Sequence, residues 1–451
     1  MRVLTHSHHD RFVLISMKNI IVVGAGISGL ASAWLLARSG QYNVTLLEAG
    51  DYFGGHAHAV DVCLDGQTYP VDTGFLVFNH KTYPQLTQLL AALKIDTPDS
   101  DMSFGVSIQS EGNAHPLEWA GDDLGTVFAQ RRNLLRPTFW RMLADILRFG
   151  HYAAAYRIES EREGLTLGQL LDRHHYSRSF QDHYLLPMGA AIWSSAVADI
   201  RDFPAASFLS FCMNHVLLTV NGRPQWKTIG GSSRQYVNAM LQHLPDARRQ
   251  HRVLQIDRTC TPLRVCVQTP DAPDPVWMHT DAVLLACHSD QSLAILGDQA
   301  TAEEQHCLAA IRYAPNQAVL HTDLRHMPQH RKVWSSWNYL STPRQDRSQP
   351  VAVTYWLNRL QPLPFKTPLL LTLNPSTPID PQQVLGRFDY AHPQMDAPAL
   401  TAQQQIDQLQ GVDRCYFAGA WGGYGFHEDG LTSAIAAVAH LGVQPPWMTP
   451  T

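Results

Sequence analysis

The sequence predicts an α/β protein: a parallel sheet assembled from separated segments of the chain, with an α+β domain inserted between them. Two observations carry this. Near the N-terminus a short β-branched run, Ile20 to Val23, enters a glycine loop and then an apolar helical pattern. Near the C-terminus a second strand-like run, Arg414 to Ala418, enters the glycine- and aromatic-rich loop Gly419 to Gly425 ahead of a helix from Thr432 to His440. A chain that opens and closes on the same pattern reads as one domain built from its ends, with the remainder inserted.

The first loop is Gly24-Ala25-Gly26-Ile27-Ser28-Gly29, and the helix after it carries Leu30, Ala33, Trp34 and Ala37 before closing at Gly40. Val44 to Leu47 is the next strand and ends in Glu48. Strand, G-x-G-x-x-G loop, helix and acidic strand end together form the fingerprint of a Rossmann-type dinucleotide fold. Gly24 permits the tight turn, Gly26 lets backbone approach a pyrophosphate, and Gly29 lets helix and strand pack closely. The helix start, at Ile27 and Ser28, offers free N–H groups and a positive dipole end to phosphate. Glu48 is placed to accept hydrogen bonds from an adenosine ribose. A second pair, Gly54-Gly55, follows close behind. A flavin lying along the loop needs bare backbone near its diphosphate, so the pair points to FAD rather than NAD.

Between the two cofactor loops, Tyr83 to Leu93 has helical spacing, and Leu117 to about Phe211 is mainly helical with many aromatics. Pro224 to Ser232 runs into a glycine turn, followed by a helix from Gln235 to Leu244. Arg252 to Ile256 and Leu263 to Val267 pair as strands, and Asp281 to Cys287 is a buried one. Val319 to Leu324, Val333 to Leu340 and Val351 to Leu357 form sheet under a substrate cavity, with the proline-rich Pro362 to Pro381 as connecting loop. The expected cofactor domain comprises 17–86, 225–293 and 405–445; the substrate domain comprises 87–224 and 294–404. Residues 1–16, rich in histidine and followed by Met17, are expected to be a disordered extension or a misassigned start.

Composition excludes several classes. Thirty-four basic against 39 acidic residues give a net charge of −5, which argues against a nucleic-acid surface. Charged residues make up only 16%, as expected of a chain that buries much of its length. The seven cysteines match no zinc or redox spacing and read as reduced thiols of a cytoplasmic protein. No apolar run reaches the ~20 residues of a membrane span. Most of the 23 histidines, including His6, His8, His9, His174 and His175, lack ligand spacing, so no metal site is expected.

The chain resembles the FAD-dependent amine oxidase and phytoene desaturase superfamily from Met17 to about Gly442. More narrowly it is similar to a bacterial branch of predicted NAD/FAD-binding oxidoreductases found beside cyclopropane-fatty-acid synthases. The motifs are Gly54-Gly55-His56-Ala57-His58, Val71-Asp72-Thr73-Gly74-Phe75, Arg223-Pro224-Gln225-Trp226, Ser336-Trp337-Asn338-Tyr339-Leu340 and Gly425-Phe426-His427-Glu428-Asp429-Gly430. The resemblance implies that Gly24, Gly26, Gly29 and Glu48 hold the ADP half of FAD. It puts Gly54 and Gly55 at the diphosphate and flavin, Val253 at the adenine, and Gly419, Gly430 and Leu431 at the flavin. His56 stands where amine oxidases have arginine and Ala420 where an acidic residue is usual, which favours the narrow branch.

Flavin chemistry needs a substrate C–H held over the ring in a dry cavity; the cofactor performs the hard step. His427 and Glu428 are the candidates for orienting substrate or moving a proton, or else for capping the helix start. Tyr424, with Trp421 and Phe426, is a candidate aromatic wall, with Trp337 and Tyr339 weaker ones. His56 and His58 line the flavin or satisfy loop carbonyls, and Lys227 is a minor candidate near the flavin. The expected function is an FAD-dependent oxidoreductase removing hydride equivalents from an apolar small molecule, a fatty-acyl or other lipid, through a desaturase or oxidase reaction. The alternatives are an amine oxidase and a flavin-bearing partner of a lipid-modifying methyltransferase. A lipid substrate implies transient contact with a membrane surface, for which a net charge of −5 offers no attraction to anionic lipid.

Overall fold

The computed structural model describes residues 17–109, 115–193, 195–219, 222–341 and 351–448, so the expected extension at 1–16 lies outside the described residues. The α/β class is as expected. A five-stranded parallel sheet runs in the order Cys415–Phe417, Ala282–Leu285, Lys18–Val23, Tyr42–Leu47, Asp246–Arg248. Its central strand is buried on both faces because its side chains alternate between two cores. Ile20 and Val22 join the layer under the helix Ile27–Arg38, whereas Ile21 and Val23 join the opposite layer with Val283 and Leu285. A three-stranded antiparallel sheet, Arg252–Asp257, Leu263–Gln268 and Val276–Thr280, connects Asp246–Arg248 to Ala282–Leu285.

A second, seven-stranded sheet runs Val384–Pro393, Tyr313–His321, Leu370–Leu373, Ala352–Trp356, Trp337–Ser341, Phe104–Ile108, Leu117–Ala120. It is antiparallel except where Trp337–Ser341 meets Phe104–Ile108. One face packs on a helical layer whose longest member is Pro137–Glu163, sealed by Phe139, Met142, Phe149 and Tyr156. Two sequence expectations are corrected here. Leu370–Leu373, inside the stretch read as connecting loop, is an interior strand of this sheet, buried throughout; flanking prolines masked a four-residue apolar run. The C-terminal helix begins at His427 rather than Thr432, because the Asp429 carboxylate accepts from the Phe426 N–H at 2.8 Å and closes the first turn early.

Candidate active site

The two glycine runs interlock. Gly24 turns the chain at φ +96° out of the first strand, and its N–H donates to the Leu47 carbonyl at 2.8 Å. Gly54, at φ +125°, donates its N–H to the Ala25 carbonyl at 2.8 Å, and a Cβ on Gly55 would lie 3.0 Å from the Gly26 Cα. A side chain on Gly55 would force the loops apart. A Cβ on Gly29 would collide with the Gly24 carbonyl, whereas one on Gly26 would meet nothing within 4 Å. Gly26 faces a cleft, and no side chain caps the helix that starts at Ile27. A helix N-terminus with free N–H groups and no acid in its first turn favours an anion. Glu48 sits at the same cleft, its oxygens accepting from Ala25 N and Gly50 N at 2.7 Å each, with lone pairs left for hydroxyls. These residues fit a dinucleotide.

The cleft has a volume of about 940 Å³. Of the expected residues, Gly24, Gly26, Ile27, Ser28, Glu48, Gly55, His56, Val253, Gly419, Tyr424 and His427 line it. The others stand behind the wall, each for a visible reason. Gly29 and Gly54 support the loop contact just described. Gly430 packs on the glycine-loop helix, its carbonyl accepting from Ser28 Oγ at 2.9 Å, and Leu431 is buried in the core beside it. His58 stacks on Tyr52 with ring centroids 4.1 Å apart, and its Nδ1 lies 3.2 Å from the Tyr390 hydroxyl. Glu428 is turned away: its carboxylate accepts from Gln85 N at 2.7 Å and Leu86 N at 2.9 Å, fastening the C-terminal helix to the start of the helix Pro84–Ala92. The same N–H groups that make a carboxylate welcome there remove it from the cleft. Lys227 is likewise engaged, its Nζ 2.8 Å from Asp99. Trp421, Phe426 and Trp337 line the cleft, but Tyr339 is buried in the core.

His427 is the best-defined polar group of the wall. Its Nε2 lies 2.6 Å from the Tyr236 hydroxyl, and its ring stacks on Phe75 at 3.9 Å between centroids. Burial lowers its pKa to about 3, in keeping with a place in the first turn of a helix, where a cation is disfavoured. Burial also raises the Tyr236 pKa well above its usual value. A phenol that keeps its proton donates to Nε2, which leaves the proton of the neutral ring on Nδ1. A second group of histidines gathers on another wall. His56 stacks on Tyr390 at 4.9 Å and lies 5.3 Å from His392. Burial pushes His392 down to about 4 and His56 well below its usual value, with the neighbouring histidines adding to the effect on His56. Among the described residues no cluster could hold a metal ion.

These neutral histidines make the fold acid-labile. In the unfolded chain each regains a pKa near 6.5, so the unfolded state binds more protons as pH falls. Stability contributed by His392 and His427 is therefore complete above about pH 6.5 and is lost downward, at up to about 1.4 kcal/mol per pH unit for each. The expected result is a Tm that drops steeply between about pH 6 and pH 4 and drops less steeply in His392→Asn. An identical slope in that variant excludes the explanation.

Sequence reasoning missed Tyr236, which has no local signal, because its partner lies 191 residues away. Phe211 and Trp193, in the stretch read only as mainly helical with many aromatics, line the cleft, Phe211 stacking on Phe426 at 5.0 Å between centroids. His392, on a strand that the sequence did not mark, was missed as well.

Comparisons agree with this geometry. Residues 27–337 match the family described as flavin-containing amine oxidoreductase. Over 249 residues the chain is 26% identical to amine oxidase [flavin-containing] B of Homo sapiens, covering 53% of this chain and 45% of that one. Over 80 residues it is 36% identical to 1-hydroxycarotenoid 3,4-desaturase of Flavobacterium sp. (strain P99-3), covering 18% and 16%. The chain thus spans less than half the length of the curated relatives it matches. Two solved structures share the fold: a CLA-producing fatty acid isomerase from P. acnes (TM-score 0.63, 14% identity, 94% of this chain and 99% of that one) and putrescine oxidase bound to putrescine (0.64, 13%, 95% and 99%). With most of its length matched, the chain belongs to the flavin-containing amine oxidoreductase family, and its cofactor is FAD.

Proposed function

We propose that this protein is an FAD-dependent oxidoreductase that removes hydride equivalents from an apolar, lipid-like small molecule. The observation that carries the reading is the lining of the cleft beyond the glycine loops. Met102, Ile192, Trp193, Phe211, Leu217 and Trp226 supply aromatic and aliphatic surface. The charged side chains at the wall are Glu48 and Arg252, beside the nucleotide cradle, and Asp389, which is solvent-exposed. Such a lining rewards removal of apolar surface from water and offers a cationic amine no buried carboxylate beyond the nucleotide cradle. Likeness to a carotenoid desaturase supports the same substrate class.

In this reading Ile27, Ser28 and the backbone of Gly24 and Gly26 hold the diphosphate, with Gly29 and Gly54 shaping that backbone. Glu48 holds the ribose and Val253 flanks the adenine. Gly55, His56 and Gly419 border the flavin, with His58, Gly430 and Leu431 supporting from behind. When bound, FAD supplies the two-electron acceptor. His427 and Tyr424 orient the substrate, and Phe426 and Trp421 help to exclude water; Glu428 acts only by fixing the helix that carries His427. The test is anaerobic bleaching of the flavin by methyl-branched acyl lipids against a panel of amines. Bleaching by acyl lipids is expected. Bleaching by amines alone defeats the reading in favour of an amine oxidase, and bleaching by neither favours a flavin-bearing partner of another enzyme.

A further inference from the structure

We infer that the long helix Pro137–Glu163 and the segment before it dock on an anionic phospholipid surface. The inner face of that helix is buried, but its outer face is not polar. Leu147 and Ile158 lie 7 and 18 residues beyond Trp140, close to two and five whole turns, so the three form one outward stripe. Leu147 is 61% and Ile158 60% exposed. The segment before the helix adds further exposed leucines, Leu135 at 86%, Leu124 at 78% and Leu134. Single exposed leucines need no account, but a row of them along one helix marks a binding surface.

Charge says what kind. Residues 124–163 carry seven arginines (131, 132, 136, 141, 148, 157, 162) against Asp145, Glu159, Glu161 and Glu163, giving 7 − 4 = +3 on a chain whose net charge is −5; the three glutamates fall at the end of the helix, so the excess lies at 124–148. Asp145 is buried and sits 3.1 Å from Arg148 and 3.5 Å from Arg141. An apolar ridge flanked by arginine, on a helix lying along the surface, is the pattern of interfacial binding to anionic lipid.

The placement suits a lipid substrate, and in that respect the inference rests on the function proposed above. The helix Ala205–Asn214 packs against the long helix and contributes Phe211 to the cleft. At Gly150 the long helix comes so close to the Leu218 carbonyl that a Cβ would collide, and Leu217 next door lines the cleft. The ridge is thus the outer side of a layer whose inner side walls the cavity.

The test is flotation of the FAD-loaded protein with vesicles of phosphatidylcholine alone or of phosphatidylcholine with an equal share of phosphatidylglycerol. Partition is expected to be at least roughly tenfold tighter on the anionic vesicles. Leu135→Glu with Leu147→Glu abolishes it on both, and Arg131→Gln with Arg136→Gln removes the anionic preference, while flavin content stays as in the parent. Absence of flotation with anionic vesicles overturns the inference, as does equal partition into both, or a dimer that the leucine double variant dissolves. Flotation needs no turnover. Protein that floats yet is bleached only by amines defeats the lipid-substrate reading and leaves the docking surface standing.

Discussion

Gly26→Val is expected to strip the protein of FAD while leaving its fold in place, and Gly29→Ala to destabilise the fold itself. The two glycines lie three residues apart, one at the end of the loop and one in the first turn of the helix, yet a side chain at each meets opposite surroundings. At Gly26 a Cβ finds open space on the cleft side, so branched methyls occupy the approach that a diphosphate needs. The flavin-to-protein ratio is expected to fall more than roughly tenfold, the equivalent of about 1.4 kcal/mol of binding, with the Tm of the apoprotein unchanged. At Gly29 the Cβ meets the Gly24 carbonyl, and a backbone oxygen cannot swing aside as a side chain can. Overpacking of this kind costs about 1–3 kcal/mol, and more against rigid backbone, out of a total stability of about 5–15 kcal/mol. Chemical denaturation of both variants checks the pair. A Gly26→Val protein that retains stoichiometric flavin refutes the assigned cradle.

The second large effect is expected at His427. With its pKa held at about 3 the imidazole is neutral at every working pH and poorly matched to the task of a general base. Its capacity is that of a fixed hydrogen-bond donor, oriented by the Tyr236 phenol on one nitrogen and the Phe75 ring on one face. His427→Leu is expected to slow substrate-driven flavin reduction roughly a hundredfold, the scale of one directed donor lost at a reacting centre. Tyr236→Phe, which frees the ring without removing it, is expected to cost less than that. Neither rate should titrate with a pKa near 6.5. A parent pH–rate profile with that inflection, absent in His427→Leu, would show base catalysis instead.

What the sequence revealed and what it hid divide along sequence distance. Gly24, Gly26, Gly29, Glu48 and Gly55 were legible because turn geometry and phosphate access are local demands that only certain residues meet. Glu428 was read as chemistry because the N–H groups that claim it, on Gln85 and Leu86, belong to a helix more than 340 residues earlier. Tyr236 drew no attention in the sequence, because only the fold puts His427 beside it. The strand Leu370–Leu373 was lost among prolines, although its burial in mid-sheet follows from its run of leucines. The net charge of −5 concealed a segment of opposite sign, since a sum over the chain carries no information about placement.

The order of strands in the parallel sheet has a consequence for biosynthesis. The central strand Lys18–Val23 is flanked on one side by Tyr42–Leu47, made moments later, but on the other by Ala282–Leu285, with Cys415–Phe417 beyond. Both later strands must wait for most of the intervening chain to leave the ribosome, and closing such long loops is slow. Until then the first strand offers an unpaired hydrogen-bonding edge, the kind of surface that invites misassembly. The nascent nucleotide cradle also lacks the helix His427–His440 that packs against it. The cradle is complete only once that helix has formed, so flavin supply during expression is expected to raise the yield of folded protein by mass action on the finished chain.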